Sequence, residues 1–391
     1  MSADGRPRIL KFGGTSVGTA ESLESACRIA AAAARERRTV VVVSALSGVT
    51  SALVEAVRGA LRGKTTHRTL VSELLRRHGA LLEATGAGPG SAEAARVLHR
   101  RVARLAELLE EATRRRACPP ETEAEALGIG ERLAVPVCVA ALRAAGLLAD
   151  EADAAGLIRT DAGFPEAVVD FRASRRLIAA WWARQPEDAL PVVPGFLGAT
   201  DDGRTTLLGR GGSDYTAAIL GHSLEAERVE IWTDVDGVLS ADPRLVDDAR
   251  PLPRLAYAEA AALAAAGARV LHPRTVAPLA ERGIPVVVKN TLRPDSPGTW
   301  VDGSPPQTRG WKAVTCRADG ISCAVTLVGA PPENGHDHVL GVLERAGVRI
   351  GELRPPSRHG VSVTVDLAQG REAVAALHRA FLQEGRATES A

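Results

Sequence analysis

The chain has 391 residues, of which 45% are hydrophobic; that length and apolar content suit two folded domains and exclude general disorder. Its 48 basic and 47 acidic residues leave a formal net charge of +1, which excludes nucleic acid or an anionic membrane as the main partner on electrostatic grounds. The five cysteines, Cys27, Cys118, Cys138, Cys316 and Cys323, show neither a CxxC pair nor metal-ligand spacing and read as reduced, mostly buried thiols of a cytoplasmic protein.

The opening MSADGRPR has no apolar stretch, so no secretory signal is expected. No run of about 18 uncharged apolar residues is present, so no membrane span is expected. Only four of the basic residues are lysines, Lys11, Lys64, Lys289 and Lys312. Arginine has replaced lysine almost everywhere, so each surviving ammonium marks a position where a compact cation could be needed.

Strand and helix alternate at the start. Arg8–Phe12 reads as a short strand entering a Gly-rich turn, 21–36 as an Ala- and Leu-rich helix, and 39–44 (TVVVVS) as a strand buried on both faces. Residues 66–145 read as mostly helical. Within them, 91–116 is an amphipathic helix whose arginines form a solvated face, interrupted by Glu107, Glu110 and Glu111.

The alternation returns from 190 to 300. Strands are predicted at 191–193, 205–208, 228–232 and 285–288, with helices at 212–224 and 257–266. This pattern predicts an open, mainly parallel sheet between helical layers. Residues 303–310 (GSPPQTRG) read as a linker. Beyond them, strands at 320–328, 349–353 and 360–365 with helices at 336–346 and 371–384 give a βαββα order, as in a small ferredoxin-like α+β domain. The expected division is 1–302, the 303–310 linker and 311–391, with 385–391 frayed.

Five segments carry chemistry. In KFGGTSVG, glycines let backbone N–H groups approach phosphate oxygens, the following helix start favours negative charge, and Lys11 can reach the outer phosphates. It is not a Walker A loop, which needs GxxxxGK followed by Ser or Thr. SALSGVTS puts Ser44 and Thr50 at the carboxyl end of a buried strand, where open α/β sheets bind ligands; helix capping by Ser47 or Thr50 is the competing reading.

GIGERL places two glycines in a helix, each costing about 1 kcal/mol relative to alanine. Glu131 beside Arg132 could equally be a surface pair. LLGRGGSDYTAA gathers Arg210, Gly211, Gly212, Ser213 and Asp214 where a strand turns into a helix; the arginine can pair bidentately with a carboxylate and Asp214 can hold an ammonium. WTDVDGVLSADPR offers Thr233, Asp234, Asp242 and Arg244 as a nucleotide edge, although Asp-Gly and Asp-Pro are also ordinary turn pairs.

In this order the five segments resemble the aspartate kinases of the amino acid kinase family, over about residues 8–302. KFGGTSVG and GRGGSDYTA carry the resemblance most specifically, and LHP (271–273) with KNTLRPDSPGT adds to it. The resemblance implies an ATP-dependent kinase that phosphorylates the side-chain carboxylate of aspartate, in an amino acid kinase fold followed by an ACT-like regulatory domain.

By that resemblance Lys11, Gly13, Gly14, Thr15 and Ser16 contact ATP phosphates. Ser44, Thr50, Gly211, Gly212 and Ser213 line the substrate pocket, Glu131 with Asp214 holds the α-ammonium, and Arg210 pairs with the α-carboxylate. Lys11 and Asp214 are the implied catalytic pair. Thr233, Asp234, Leu239, Asp242, Arg244 and Arg269 lie along the nucleotide. ATP and Mg²⁺ are the implied cofactors, with the metal held by phosphate oxygens and water rather than by protein ligands.

Leu239 stands where the family usually has tyrosine, Arg269 where it has lysine, Ala134 where it has serine and Ser51 where it has asparagine. The C-terminal region has about one ACT module's length where family members generally carry two; a reduced regulatory domain suits a specialised pathway that escapes end-product control. A homodimer through the ACT-like domain is the implied assembly. A kinase of an aspartate analogue, or a catalytically silent amino-acid sensor, are the competing readings.

Overall fold

The computed structural model describes residues 5–86, 90–268, 271–303, 310–330, 334–353 and 359–383. The chain forms two compact units, one reaching to Asp234 and including Lys289–Asp295, the other holding Val235–Val288 and the residues from Ser296 onward.

The first unit runs β1 (Arg8–Phe12), α1 (Ala20–Glu36), β2 (Thr39–Val43), α2 (Val49–Leu61), α3 (His67–Ala84), α4 (Ser91–Arg115), α5 (Pro120–Ala144), β3 (Leu148–Glu151), α6 (Ala154–Leu157), α7 (Phe171–Trp182), β4 (Ala189–Pro194), β5 (Leu197–Ala199), β6 (Thr205–Leu207), α8 (Gly212–Leu224) and β7 (Arg228–Thr233). Strands β3-β4-β2-β1-β7 lie side by side and every pair is parallel. All residues of β1 and β2 are buried; β2 is the unbroken apolar run expected of a strand covered on both faces, whereas β1 also buries the charged Arg8 and Lys11.

The register sets Lys11 beside Val42 and Ile231, and Phe12 beside Val43 and Trp232. The carboxyl ends of β1, β2 and β7 therefore finish level, and the loops that follow them open on one edge of the sheet. That edge is where parallel α/β sheets bind ligands. Residues 205–207 are not part of this parallel sheet, contrary to the reading of 205–208. They form β6, which pairs antiparallel with β5 through Leu197↔Leu207, because the Thr200–Arg204 turn folds the chain straight back: the Thr200 N–H donates to the Arg204 carbonyl at 3.0 Å.

The second unit holds β8 (Arg254–Ala256), α9 (Tyr257–Ala265), α10 (Pro273–Glu281), most of β9 (Val286–Asn290), β10 (Thr299–Asp302), β11 (Gly310–Asp319), β12 (Ser322–Ala330), α11 (Gly335–Arg345), β13 (Ile350–Leu353), β14 (Gly360–Asp366) and α12 (Gly370–His378). β10 pairs antiparallel with β9 and parallel with β8. The last four strands form an antiparallel sheet in the order β11-β12-β14-β13.

β11 has no counterpart in the sequence reading, which started this region with a strand at 320–328. Asp319 and Ser322 instead flank a tight turn in which Gly320 has φ +61°, and an Asp-Gly pair between apolar runs is a strong hairpin signal. The order is therefore ββαββα. The helix read as 371–384 closes earlier, α12 giving way at Arg379–Gln383 to a π-helical turn. Most of the 303–310 linker and the 385–391 tail lie outside the described residues.

Ala241 and Val246 belong to the same apolar cluster as Val325, Leu343, Val363 and Leu377. Ser240 shares a 2.8 Å hydrogen bond with His378. These contacts draw the segment after β7 into the unit that carries the C-terminal sheet. Lys312 adds a buried ion pair, its Nζ 2.7 Å from Glu259 Oε2, with the two side chains 13% and 1% exposed. Removing one partner of such a pair leaves an uncompensated buried charge. Lys312→Met is expected to lower the unfolding free energy by about 3–5 kcal/mol, measured by urea denaturation; an unchanged midpoint contradicts this account of the pair.

Candidate active site

Two adjoining cavities lie at the carboxyl ends of β1, β2, β4 and β7. The first is about 390 Å³ and is lined by Lys11, Gly13, Gly14, Thr15, Ser47, Gly48, Thr50, Ser51 and Thr233. The second is about 480 Å³ and is lined by Lys11, Ser44, Thr50, Glu131, Arg210, Gly211, Gly212, Ser213 and Asp214, with Val54, Leu127, Pro165, Phe196 and Leu207 among its apolar walls. Lys11 and Thr50 line both.

The first cavity depends on two loops lying backbone to backbone. A Cβ on Gly14 would sit 2.4 Å from the Ala45 carbonyl oxygen and 2.9 Å from the Ser47 nitrogen, so no larger residue fits. The Ser47 N–H donates to the Gly14 carbonyl at 3.2 Å, and the Gly13 N–H donates to the Trp232 carbonyl at 2.9 Å. α2 begins beside this cavity. Its N-cap is Gly48 at φ +82° and no side chain caps it, so the capping reading of Ser47 and Thr50 does not hold. Uncapped N–H groups at a helix start favour an anion.

The second cavity has a similar feature. α8 begins at Gly212 after Gly211 (φ +71°), again without a side-chain cap. Asp214, in its first turn, places Oδ1 2.7 Å from Lys11 Nζ, with the two side chains 15% and 11% exposed. Arg210 is exposed. It lines the cavity with no ion pair to another described residue.

Glu131 is buried on α5 at 3% exposure, so the surface-pair reading fails. The two glycines of GIGERL explain how it gets there. A Cβ on Gly130 would press on Ala45, Leu53 and Val49, and one on Gly128 would meet Leu197 at 2.5 Å. They let α5 approach closely enough for Glu131 to enter the cavity. Its Oε2 has no hydrogen-bond partner among the described residues. Burial pushes its carboxyl up from 4.5 to about 8, against the opposing pull of backbone amides at Glu131 and Ala45 and the charge on Lys11.

Several predicted nucleotide residues do not line either cavity. Ser16 is buried; its hydroxyl donates to the Trp232 carbonyl at 3.1 Å and accepts from Thr291 at 2.7 Å. That hydroxyl serves the fold. Asp234 is exposed and accepts a 3.1 Å hydrogen bond from Thr233. Leu239, Asp242 and Arg244 belong to the second unit, where Asp242 accepts from the Arg244 backbone N–H and Nε, both at 2.9 Å. Arg269 lies outside the described residues.

Sequence reasoning did not single out Phe196 or Pro165. Gly195, at the end of β4, was the available signal: its Cβ would lie 2.5 Å from Ser213 Cβ. Lys289, one of the four lysines flagged above, lines neither cavity; its Nζ lies 5.0 Å from the Trp232 ring centroid, in cation–π range.

The first cavity combines an amine, glycine backbone and hydroxyls, a set suited to phosphate oxygens. The second combines two carboxyl groups with a guanidinium and a helix start, a set suited to a zwitterion. The raised Glu131 pKa also has a sign. The folded protein holds this proton more tightly than the unfolded chain, so the associated stability is full below about pH 4.5 and is lost as pH rises through about 8. Glu131→Gln is expected to gain stability relative to the parent between about pH 5 and 9. Denaturant titrations across that range test it, and a constant difference contradicts it.

The amino acid kinase family model matches residues 6–290. Lysine-sensitive aspartokinase 3 of Escherichia coli K12 is 32% identical over 92% of this chain and 78% of its own length. The aspartokinase of Chlamydia trachomatis is 34% identical over 76% of this chain and 65% of its own length. The crystal structure of E. coli aspartokinase III in complex with aspartate and ADP matches with a TM-score of 0.86 at 26% identity, covering 95% of this chain and 98% of that one. On these grounds the chain belongs to the amino acid kinase family, among its aspartokinases.

Proposed function

We propose that this chain transfers the γ-phosphoryl group of ATP to the side-chain carboxylate of L-aspartate, giving 4-phospho-L-aspartate and ADP. The observation that carries the reading is the position of Lys11, one buried ammonium that lines both cavities. A cation there can contact phosphate from one side and carboxylate from the other.

In this reading the phosphates lie over Gly13, Gly14 and Thr15 and against the start of α2. Aspartate occupies the larger cavity. Its α-ammonium faces Glu131, its α-carboxylate faces Arg210 and the start of α8, and its side-chain carboxylate turns toward Lys11, Ser44 and Thr50. A carboxylate oxygen attacks the γ-phosphorus, an O–P bond forms, and the bond to the β–γ bridging oxygen breaks as ADP leaves. The nucleophile is already ionised at neutral pH, so no general base is required.

Catalysis is then positioning and neutralisation of phosphoryl charge, as in other phosphoryl transfers. Asp214 holds the Lys11 ammonium in place through their 2.7 Å contact. Among the described residues no group of three or more His, Cys, Asp or Glu could hold a metal, and the first cavity offers an amine and hydroxyls instead. An ammonium is no metal ligand, so Mg²⁺ would be held by the phosphate oxygens and water, where it would supply charge neutralisation. A second copy of the chain is the proposed partner, supported by the largely exposed edge strand β13.

Hydroxylamine trapping tests the activity. Aspartyl hydroxamate is expected to form in proportion to ADP and only with aspartate present. Steady ADP release without hydroxamate, across aspartate and its analogues, contradicts the proposal. Lys11→Met is expected to keep the fold and lower kcat by about 10²–10³-fold, since the charge it removes matters most in the transition state. Near-parental kcat in that variant overturns the role given to Lys11.

A further inference from the structure

We propose that Thr216 is a positioning residue for the aspartate half of the site, clamping the Gly209–Asp214 loop to Phe196 at the end of β4. The inference rests on the aspartate kinase reading above but uses residues that reading does not assign.

Phe196 has φ +70°, a left-handed conformation that a bulky non-glycine residue adopts only when its surroundings enforce it. Both of its backbone polar groups are engaged. Its N–H donates to Thr216 Oγ1 at 3.0 Å, and its carbonyl accepts the Leu208 N–H at 2.8 Å. Leu208 precedes the Arg210 loop and Thr216 follows it, so one residue holds both ends of that loop.

Thr216 is fully buried. A hydroxyl has one proton to donate and lone pairs to accept with, and here both capacities are used. While accepting from Phe196, Thr216 donates to the Gly212 carbonyl at 3.0 Å. Gly212 is the first residue of α8, and its own N–H donates to the Gly209 carbonyl at 3.0 Å. The packing is as tight as the bonding. A Cβ on Gly212 would lie 2.5 Å from the Phe196 ring, and one on Gly195 would lie 2.5 Å from Ser213 Cβ.

The loop between the two anchors has its own freedom, because Gly209 and Gly211 both have positive φ, at +73° and +71°. Two glycines flanking Arg210 make its direction soft unless the ends are fixed. The clamp fixes them, and through the first turn of α8 it also fixes Asp214 against Lys11. Thr216 and Phe196 are absent from the lining of the nucleotide cavity, which the clamp reaches only through the Asp214–Lys11 contact.

The test compares Thr216→Val, Thr216→Ala and Thr216→Ser with the parent. Val is nearly isosteric but loses both hydrogen bonds, Ala loses them without adding bulk, and Ser restores the hydroxyl. Val and Ala are expected to lower kcat/KM for aspartate by about 10–100-fold, the range a displaced catalytic group produces, while KM for ATP stays within about twofold. Ser is expected to remain close to the parent. Hydrogen exchange should rise in peptides covering 209–214 for Val and Ala alone.

Parallel losses toward ATP and aspartate, an impaired Ser variant, or a folded Ala variant with parental aspartate kinetics overturns the proposal. If the parent forms no aspartyl hydroxamate, the aspartate reading falls by itself. The exchange comparison still decides the clamp in that case, and unchanged exchange at 209–214 rejects it.

Discussion

The 2.7 Å contact between Lys11 and Asp214 is the constraint on which the rest of the site depends. Both side chains are largely removed from water, and a buried charge persists only with an opposite charge close by. The pair joins elements far apart in sequence. Lys11 sits near the end of β1, fixed in register by β2 and β7. Asp214 sits in the first turn of α8, whose start is fixed by Gly211, Gly212 and the contacts to Phe196. If either element shifts, the ammonium loses the one carboxylate that compensates it and both cavities lose their shared wall.

Around that pair the site is short of ionised partners in a way that fits a zwitterion. Glu131 is buried and held largely protonated at neutral pH by desolvation, with its carboxyl pushed up to about 8. Arg210 stands at the exposed side of the same cavity. In the proposed reading an incoming ammonium would stabilise the ionised form of Glu131, and an incoming carboxylate would pair with Arg210 and the uncapped start of α8. On that proposal substrate would complete a charge arrangement that the protein leaves unbalanced. The first cavity is built differently, from glycine backbone, hydroxyls and the start of α2.

What the sequence disclosed followed from residue types with a narrow physical meaning. The TVVVV run is β2 because only a strand covered on both faces hides so many β-branched residues in so few positions. The 212–224 helix was read with the boundaries it has, because paired glycines before an apolar run mark a helix start. Glu131 stayed ambiguous since α5 is buried on nearly all sides and its periodicity names no solvent face. Phe196 was invisible because residue type does not encode a left-handed phenylalanine. Ser16 shows what a loop motif does not tell: its hydroxyl is a buried strut to Trp232 and Thr291. The missed β11 was legible in the Asp319–Gly320 turn.

If the α-ammonium of aspartate faces Glu131 as proposed, binding ionises that carboxyl, and proton release on binding tests this most directly. Calorimetric titration of aspartate into the protein at pH 7, in two buffers of different ionisation enthalpy, counts the protons. With the Glu131 carboxyl at about 8 in the empty site, release approaching one proton per aspartate is predicted for the parent, and none for Glu131→Gln. Equal heats in both buffers for the parent would contradict the account.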